Sequence, residues 1–160
     1  MNLLPPTVAF LVDDTTYHCR ELPAPFQTSP EHRELQGPQR SSQFRTYFAS
    51  TCGQILSATP DGKARVMKTY GSSGDARRHK IELRVNGKKI KQYVSRLIAF
   101  AFLDGHATTD AHGNVRDEVN HINADPSDNR IANLHWTSQE ENRSHYTEHL
   151  PRWVAEQEEL

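Results

Sequence analysis

The segment from Val119 to Asn142 contains three polar residues whose types and spacing could support catalysis. His121 follows a short apolar approach, Asn133 comes twelve positions later, and Asn142 comes nine positions after that. A histidine can take a proton from water near neutral pH. Amide oxygens are donors that hard cations such as Mg²⁺ accept. A base with a cation beside it is what hydrolysis of a phosphodiester bond requires, because negative charge grows on the phosphate as water attacks.

Two short strands with a turn between them are predicted to carry the histidine and the first asparagine. Val119 to Ile122 is the first strand, Asp125 to Asn129 is a cluster of turn formers, and Ile131 to Trp136 is the partner strand. Asn120 and His121 are adjacent on one strand. Their side chains therefore point to opposite faces unless the strand end twists or bulges.

A helix is predicted to follow from about Ser138 to Leu150 and to stop before Pro151. Thr137 and Ser138 each offer an N-cap with a glutamate three positions later, which is a doubled capping-box pattern. One face of this helix carries three residues that could lie against the hairpin, namely Asn142, His145 and His149. The whole segment therefore predicts a ββα unit.

A small antiparallel sheet is predicted upstream of this unit. Short strands at Thr46–Ala49 and Gln54–Ser57 flank a turn, and His79–Val85 alternates apolar and polar residues as a half-buried strand does. Asn86-Gly87 then predicts a tight hairpin with Lys88–Tyr93 as its return strand. The next segment, VSRLIAFAFL, has apolar residues at helical spacing and is predicted to be a buried helix that covers the sheet.

Basic residues are concentrated between Lys63 and Arg96, where Asp75 and Glu82 are the only acids, although the whole chain has a formal net charge of -1. Such a block suggests a local surface for phosphates, and a solvated sheet face is the alternative. For Arg96 a surface salt bridge is an equal alternative, and for Arg130 a solvated turn arginine is. The candidate phosphate contacts are Lys80, Arg84, Lys88, Lys89, Lys91, Arg96, Arg130 and Arg143.

Length and composition favour one domain with a small appendage, because the chain has 160 residues. Cys19 and Cys52 are too few for a cysteine-rich zinc site or a disulfide framework. We expect no signal peptide and no membrane span, and therefore a cytoplasmic protein. His106 and His112 lie in a polar loop where a histidine is more often solvated than a metal ligand.

These residues resemble the HNH endonucleases, in particular the phage-type homing or nicking branch. The pattern His121, Asn133 and Asn142, in register with NRIANLHW and EEN, carries the resemblance, which extends more weakly over residues 44 to 146. The resemblance implies that His121 is the general base and that Asn133 braces the hairpin and helps to orient the base. It further implies that Asn142 is a metal ligand.

The resemblance also implies a second metal ligand at Asn120, where many relatives have aspartate. A neutral amide oxygen binds a hard cation less tightly than a carboxylate does. His145 is an alternative ligand, as in branches whose last motif residue is histidine. One divalent ion is implied; we expect Mg²⁺, with Mn²⁺ possible and Zn²⁺ less favoured because the matched ligands are amide oxygens. Ser95 stands where relatives often have histidine, so no catalytic role is expected there.

The implied fold class is α+β, with a small antiparallel sheet region followed by the ββα-metal unit. We expect residues 1–43 to form an extended arm, 44–103 a basic DNA-contacting region with its covering helix, 104–150 the nuclease unit and 151–160 an acidic tail. The implied function is hydrolysis of double-stranded DNA by a monomer or weak dimer, in the host cytoplasm if the protein is phage-encoded. The alternatives are a catalytically weak or inactive DNA-binding protein and a partner-binding protein.

Overall fold

Antiparallel sheets and three helices make up the fold, which confirms the predicted α+β class. It is seen in a computed structural model that describes residues 3–35, 44–145 and 147. Within these residues the strands form three separate sheets of five, three and two strands. No helix among them is both long and apolar enough to cross a membrane.

The largest sheet contains the first five strands in chain order, and every pair of neighbours in it is antiparallel. Its strands are β1 (Val8–Val12), β2 (Thr15–Glu21), β3 (Thr46–Ser50), β4 (Ile55–Ala58) and β5 (Ala64–Val66). The edge strands β1 and β5 also contact each other, so the sheet curls on itself. The strands predicted near residues 46 and 54 are confirmed as β3 and β4.

The predicted arm over residues 1–43 is wrong for the part that the structure describes. β2 pairs with β3 and thereby joins the first two strands to the main sheet, while Cys19 and Leu22 are buried in the interior. The 3-10 turn Ala24–Phe26 and helix α1 (Pro30–Leu35) follow. Sequence patterning did not reveal β2, because it is mostly polar and its stability comes from pairing with a strand that is distant in the chain.

The predicted basic hairpin is confirmed as β7 (His79–Val85) and β8 (Lys88–Tyr93), with the short β6 (Tyr70–Gly71) at the edge of β7. Asn86 and Gly87 between the two strands both have positive φ, 49° and 76°, as a tight two-residue turn requires. The apolar side of β7 turns inward, since Ile81 and Leu83 are fully buried. The opposite face of the hairpin carries Lys80, Arg84, Lys89 and Lys91.

Helix α2 (Val94–Phe102) is confirmed as the buried helix that covers the sheets. Its apolar residues Leu97, Ile98 and Phe102 are fully buried. They belong to one core cluster with Ile81 and Leu83 of β7 and with residues of the main sheet. Helix α2 also packs on the two-stranded sheet of the C-terminal unit. It therefore fixes the position of that unit relative to the five-stranded and three-stranded sheets.

The C-terminal unit contains β9 (Glu118–His121), β10 (Leu134–Thr137) and helix α3, described over residues 139–145 and 147. The two strands are antiparallel, with His121 opposite Leu134 and Asn120 opposite His135. Ile131–Asn133, predicted as strand, is instead a 3-10 turn. The predicted ββα order is otherwise present; the expected helix end near Leu150 and the acidic tail lie outside the described residues.

Only one of the two predicted N-caps is formed. The Ser138 hydroxyl accepts from the Glu141 N–H at 3.1 Å, and the Glu141 carboxylate accepts from the Ser138 N–H at 2.9 Å. This reciprocal pair is a capping box. The Thr137 hydroxyl is buried and makes no hydrogen bond with the residues that the structure describes. Helix α3 therefore begins after Ser138.

The turn between β3 and β4 supports the loop that joins β9 to β10. The N–H of Ile131 donates to the carbonyl oxygen of Thr51 at 3.2 Å. Gly53, with φ +90°, lies so close to this loop that an added Cβ would be 2.6 Å from the backbone carbon of Asn129. The main sheet thus holds the loop of the C-terminal unit by direct backbone contact.

We predict that Gly53→Ala lowers the free energy of unfolding by about 2–3 kcal/mol, because the new methyl group clashes with backbone and the left-handed φ is strained. Gly62→Ala is the matched control, since Gly62 has a similar φ of +87° and no atom within 4 Å of its added Cβ. It should cost about 1 kcal/mol. Urea denaturation measures both, and equal losses would contradict the proposed support of the loop.

Candidate active site

A cavity of about 270 Å³ brings together residues from β7, β8, α2, the β9–β10 hairpin and α3. His121 and Asn142, two of the three motif residues, both line it. Its other lining residues are Arg78, His79, Tyr93, Ser95, Arg96, Glu118, Val119, Pro126 and Asn129. The cavity combines two histidines, a carboxylate and two arginines, which makes it the candidate active site.

His121 is held in this cavity by an asparagine that the motif did not point to. The Nε2 atom of His121 lies 2.8 Å from the Oδ1 atom of Asn129, and both side chains are buried. An amide oxygen can only accept, so Nε2 must carry the proton and donate it. In the neutral ring Nδ1 is then the nitrogen that can accept a proton.

The buried surroundings keep His121 in its neutral form. Burial lowers the pKa of His121 below its ordinary value of 6.5, and the hydrogen bond to Asn129 opposes this in part. The nearby Arg78 lowers the pKa further, since two positive charges repel. A histidine that is uncharged at neutral pH has one unprotonated ring nitrogen, which is the form that a general base needs.

Asn133 braces the loop between the two strands and does not line the cavity. Its Oδ1 atom accepts from the backbone N–H of Asn123 at 2.9 Å. Its Nδ2 atom donates to Asn123 Oδ1 and to the carbonyl oxygen of Asp128, each at 2.9 Å. Because Asp128 precedes Asn129, this network sets the position of the residue that holds His121.

Asn120 lies on the other side of β9 from His121, as alternation along a strand requires. It is 1% exposed, and its Nδ2 atom is 3.3 Å from Nε2 of His135 on the opposite strand. Asn120, His135 and His145 line a second cavity, in which Asn142 does not take part. Burial lowers the pKa of His135, and the nearby His145 lowers it further.

Asn142 contacts the first residue of β9. Its Nδ2 atom donates to Oε2 of Glu118 at 2.8 Å. Glu118 and Asn120 are two positions apart on β9 and so share the face that packs against α3. The expected metal ligands Asn120 and Asn142 are therefore both at the strand–helix contact, but they line different cavities, and Glu118 accompanies Asn142.

The donor atoms at this contact fit a hard divalent ion. The Oδ1 atoms of Asn120 and Asn142 are both buried and accept no hydrogen bond from the described residues. A buried acceptor without a partner costs free energy, and a cation would satisfy it. Within the described part of the chain no three His, Cys, Asp or Glu side chains gather at a metal site.

The polar loop between α2 and β9 is attached to the start of α3. The carboxylate of Asp110 accepts from the Ser138 hydroxyl at 2.6 Å, which is the main reason that the pKa of Asp110 lies below its usual range. Arg116 forms an ion pair with Glu141 at 2.9 Å. The loop thus holds the first turn of α3, and with it Asn142, against β9.

The two loop histidines have structural contacts. His112 Nδ1 lies 2.7 Å from Oε1 of Glu140 on α3. The ring of His106 lies against the rings of Phe100 and Trp136, with centroids 4.8 and 4.6 Å apart. Neither histidine lines the His121 cavity. Trp136 itself is buried in the core.

Four of the candidate phosphate contacts lie together on the outer face of the β7–β8 hairpin. The strand register places Lys80, Arg84, Lys89 and Lys91 on this face with Glu82 and Tyr93. Lys89 pairs with Glu82 at 3.3 Å, and Lys80 lies over the Tyr93 ring. Lys88 is exposed at the hairpin tip. The arrangement gives the hairpin a basic surface.

The other three candidate arginines are placed differently. Arg96 lines the His121 cavity and donates to the carbonyl oxygen of Asp117 at 2.6 Å while lying over Phe100 and Trp136. Arg130 is paired with Asp128 at 2.7 Å, and this pairing lowers the pKa of Asp128 to about 2. Arg143 is exposed and lines a separate groove.

Three residues of the site were missed by reasoning from sequence, namely Arg78, Glu118 and Asn129. Asn129 lies in a predicted turn, and only folding brings its side chain back to His121. Glu118 precedes the predicted strand, and Arg78 lies in the basic segment with no local pattern that places it near the histidine. For Glu118 the sequence does hold one indication, because residues two apart on a strand share a face and Glu118 is two residues before Asn120.

Comparison with known proteins supports this assignment. Residues 106–144 match the model of the family described as HNH endonuclease. This segment contains the loop, both strands and the start of α3, so the similarity to the HNH endonuclease family lies in the C-terminal unit, where the sequence resemblance predicted it. A search of curated proteins gave no match.

One solved structure similar to this chain is that of the HNH homing endonuclease I-HmuI, which is described for its DNA binding and cleavage. The two chains are 25% identical, the match covers 64% of this chain, and the TM-score is 0.47. The match spans 52% of the length of that chain, about half of it.

We predict that neutral His121 carries its proton on Nε2, because Asn129 Oδ1 accepts there. Long-range ¹H–¹⁵N NMR of the imidazole at neutral pH distinguishes the two tautomers. Asn129→Asp keeps an acceptor and should keep the tautomer, while Asn129→Ala should lose the preference. A ring that is protonated on Nδ1 in the unaltered chain would contradict the observed pairing.

Proposed function

We propose that this protein is a divalent-metal-dependent endonuclease that hydrolyses phosphodiester bonds of double-stranded DNA. The observation that carries the proposal is His121, which is buried and held by Asn129 in a cavity that it shares with Asn142. The family match over residues 106–144 supports the nuclease chemistry. With one such unit per chain we expect a monomer or weak dimer that nicks DNA, and two units or two events would be needed for a double-strand break.

In this proposal His121 acts as the general base. Nδ1 takes a proton from the attacking water, and the hydrogen bond from Nε2 to Asn129 keeps the ring oriented as it does so. Asn133 positions the loop and does not touch the substrate, because all of its side-chain bonds are within the loop. The cavity also holds Arg78 and Arg96, whose positive charges favour a phosphate there.

The divalent ion would be held by amide oxygens of Asn120 and Asn142. Both Oδ1 atoms are buried and accept no hydrogen bond from the described residues. When bound, such an ion stabilises the negative charge that develops on the phosphate and on the leaving oxygen. Mg²⁺ is the expected ion, with Mn²⁺ as a substitute. His145, the alternative ligand, lies with Asn120 and His135 in the neighbouring cavity.

The basic outer face of the β7–β8 hairpin would hold the flanking duplex. Lys80, Arg84 and Lys91 lie on one face of two adjacent strands and can contact successive phosphates. Arg78, next to the start of β7, lines the cavity of His121. The same hairpin would thus contact DNA on its outer face and supply residues to the wall of the site.

A catalytically weak or inactive DNA-binding protein is the second candidate. The observation that favours it is the neutral side chain at position 120, which is buried and bonded to His135. A site without a carboxylate at this position holds a cation less tightly. Such a protein would bind duplex DNA in a salt-sensitive manner and leave it intact.

We predict that the protein converts supercoiled plasmid to open circle in the presence of Mg²⁺ or Mn²⁺, and that EDTA abolishes the conversion. His121→Ala should reduce the rate by about 10²–10⁴-fold, because the general base is lost. Its affinity for DNA should change little, since His121 is buried and the phosphate contacts remain.

His18→Ala is the control for this experiment, because His18 is exposed on β2 and does not line the His121 cavity. It should cleave at the rate of the unaltered chain. If no divalent ion supports conversion while salt-sensitive DNA binding remains, the endonuclease proposal fails and the second candidate stands.

We predict that Lys91→Ala weakens duplex binding and reduces the slope of log affinity against log salt concentration by about 1, because one phosphate contact is lost. Lys89→Ala should change the slope less, since Lys89 is already paired with Glu82. Fluorescence anisotropy over several salt concentrations measures both.

Lys63→Ala serves as the control for non-specific loss of charge, because Lys63 is exposed in the β4–β5 turn, outside the hairpin. Its slope should equal that of the unaltered chain. An unchanged slope for Lys91→Ala would show that the hairpin face does not contact the duplex.

A further inference from the structure

Among the residues that the structure describes, Glu118 is the only carboxylate that lines the His121 cavity. It is the first residue of β9 and lies opposite Thr137 in the strand pair. Its Oε2 atom accepts from Nδ2 of Asn142 at 2.8 Å, so it contacts the side chain that is the expected metal ligand on α3. Its other neighbour on the same strand face is Asn120.

The metal site proposed above lacks a negative charge on its two expected ligands, because both are asparagines. A hard divalent ion binds most tightly where carboxylates contribute. Glu118 lies on the same face of β9 as Asn120 and contacts Asn142 directly, so it can provide this charge without a change of backbone. Asn120 itself is bonded to His135 in the neighbouring cavity.

The Oδ1 atoms of Asn120 and Asn142, which lack hydrogen-bond partners among the described residues, give an independent reason to place a cation near Glu118. In Asn142 the NH₂ group faces Glu118, while Oδ1 is buried without a hydrogen-bond donor among the described residues. Rotation of this amide about its last torsion would place Oδ1 beside the Glu118 carboxylate. Two such oxygens repel each other unless a cation lies between them.

The observed spacing matches that requirement. In octahedral coordination with metal–oxygen distances of about 2.0–2.1 Å, neighbouring ligand oxygens are about 2.9 Å apart. Oε2 of Glu118 and Nδ2 of Asn142 are 2.8 Å apart in their hydrogen bond. The two side chains are therefore close enough for an oxygen of each to bind one ion after the amide flips.

We propose that Glu118 is the carboxylate ligand of the divalent ion and binds it together with Oδ1 of Asn142. The carboxylate that many relatives place at position 120 is supplied in this chain two residues earlier on the same strand face. This inference rests on the proposed metal-dependent function and specifies its ligand set.

Mn²⁺ binding to the full chain, followed by electron paramagnetic resonance of the free ion, tests the proposal without reference to cleavage. Glu118→Gln keeps an oxygen that can accept from Asn142 but removes the charge. Its dissociation constant for Mn²⁺ should rise at least tenfold, with no change in the circular dichroism spectrum. Asn120→Asp in the Glu118→Gln background restores a carboxylate and should recover most of the affinity.

Glu82→Gln is the matched control, since Glu82 lies on the hairpin face, pairs with Lys89 and is not in the cavity. Its Mn²⁺ affinity should equal that of the unaltered chain. Unchanged affinity in Glu118→Gln would overturn the proposal and show that Glu118 only positions Asn142. Absence of saturable Mn²⁺ binding by the unaltered chain would overturn it as well.

Plasmid nicking separates failure of this inference from failure of the proposed function. Nicking by the unaltered chain together with unchanged Mn²⁺ affinity in Glu118→Gln would leave the endonuclease proposal intact and remove Glu118 from the ligand set. Loss of nicking in Glu118→Gln that is recovered at high Mn²⁺ concentration would support the ligand role, because a weakened site fills by mass action.

Discussion

The hydrogen bond between His121 Nε2 and Asn129 Oδ1 ties the reactive group to the fold. His121 belongs to the last position of β9, whereas Asn129 lies in the loop that follows, so the ring is oriented only if the loop has one conformation. Asn133 closes that loop with three side-chain hydrogen bonds. The main sheet supports the loop from outside through the close approach of Gly53. The orientation of the His121 ring therefore depends on a backbone contact between two sheets.

Helix α3, on the other side of β9, is held in place by several polar contacts. Its capping box, the hydroxyl of Ser138 on Asp110 and the ion pair of Arg116 with Glu141 hold its first turn. This is the turn from which Asn142 reaches Glu118. The polar loop thus contributes contacts that keep Asn142 in place. The described part of the unit combines a tightly held histidine with an oxygen-rich contact between strand and helix.

Local features of the fold were predictable because they depend on neighbouring residues. The Asn86-Gly87 hairpin, the apolar face of α2 and the Ser138 cap follow from turn geometry and periodicity, and each is present. β2 and the 3-10 turn at Ile131–Asn133 were not predicted. Strand β2 is polar and is stabilised by pairing with a strand that is distant in the chain. The 3-10 turn ends the loop that joins the paired strands β9 and β10. Both depend on contacts that no local pattern records.

The sequence by itself determined the chemical components of the site: a histidine at 121, asparagines at 120, 133 and 142, and the ββα order that carries them. Spacing and residue type suffice for this, since a strand alternates and a helix repeats. Only the tertiary structure decided how those components are distributed. It paired Asn120 with His135, turned Asn129 onto the histidine and brought Glu118 to Asn142. The reason is physical: these pairings join separate segments, and strand register and helix docking, not local preference, set their distances.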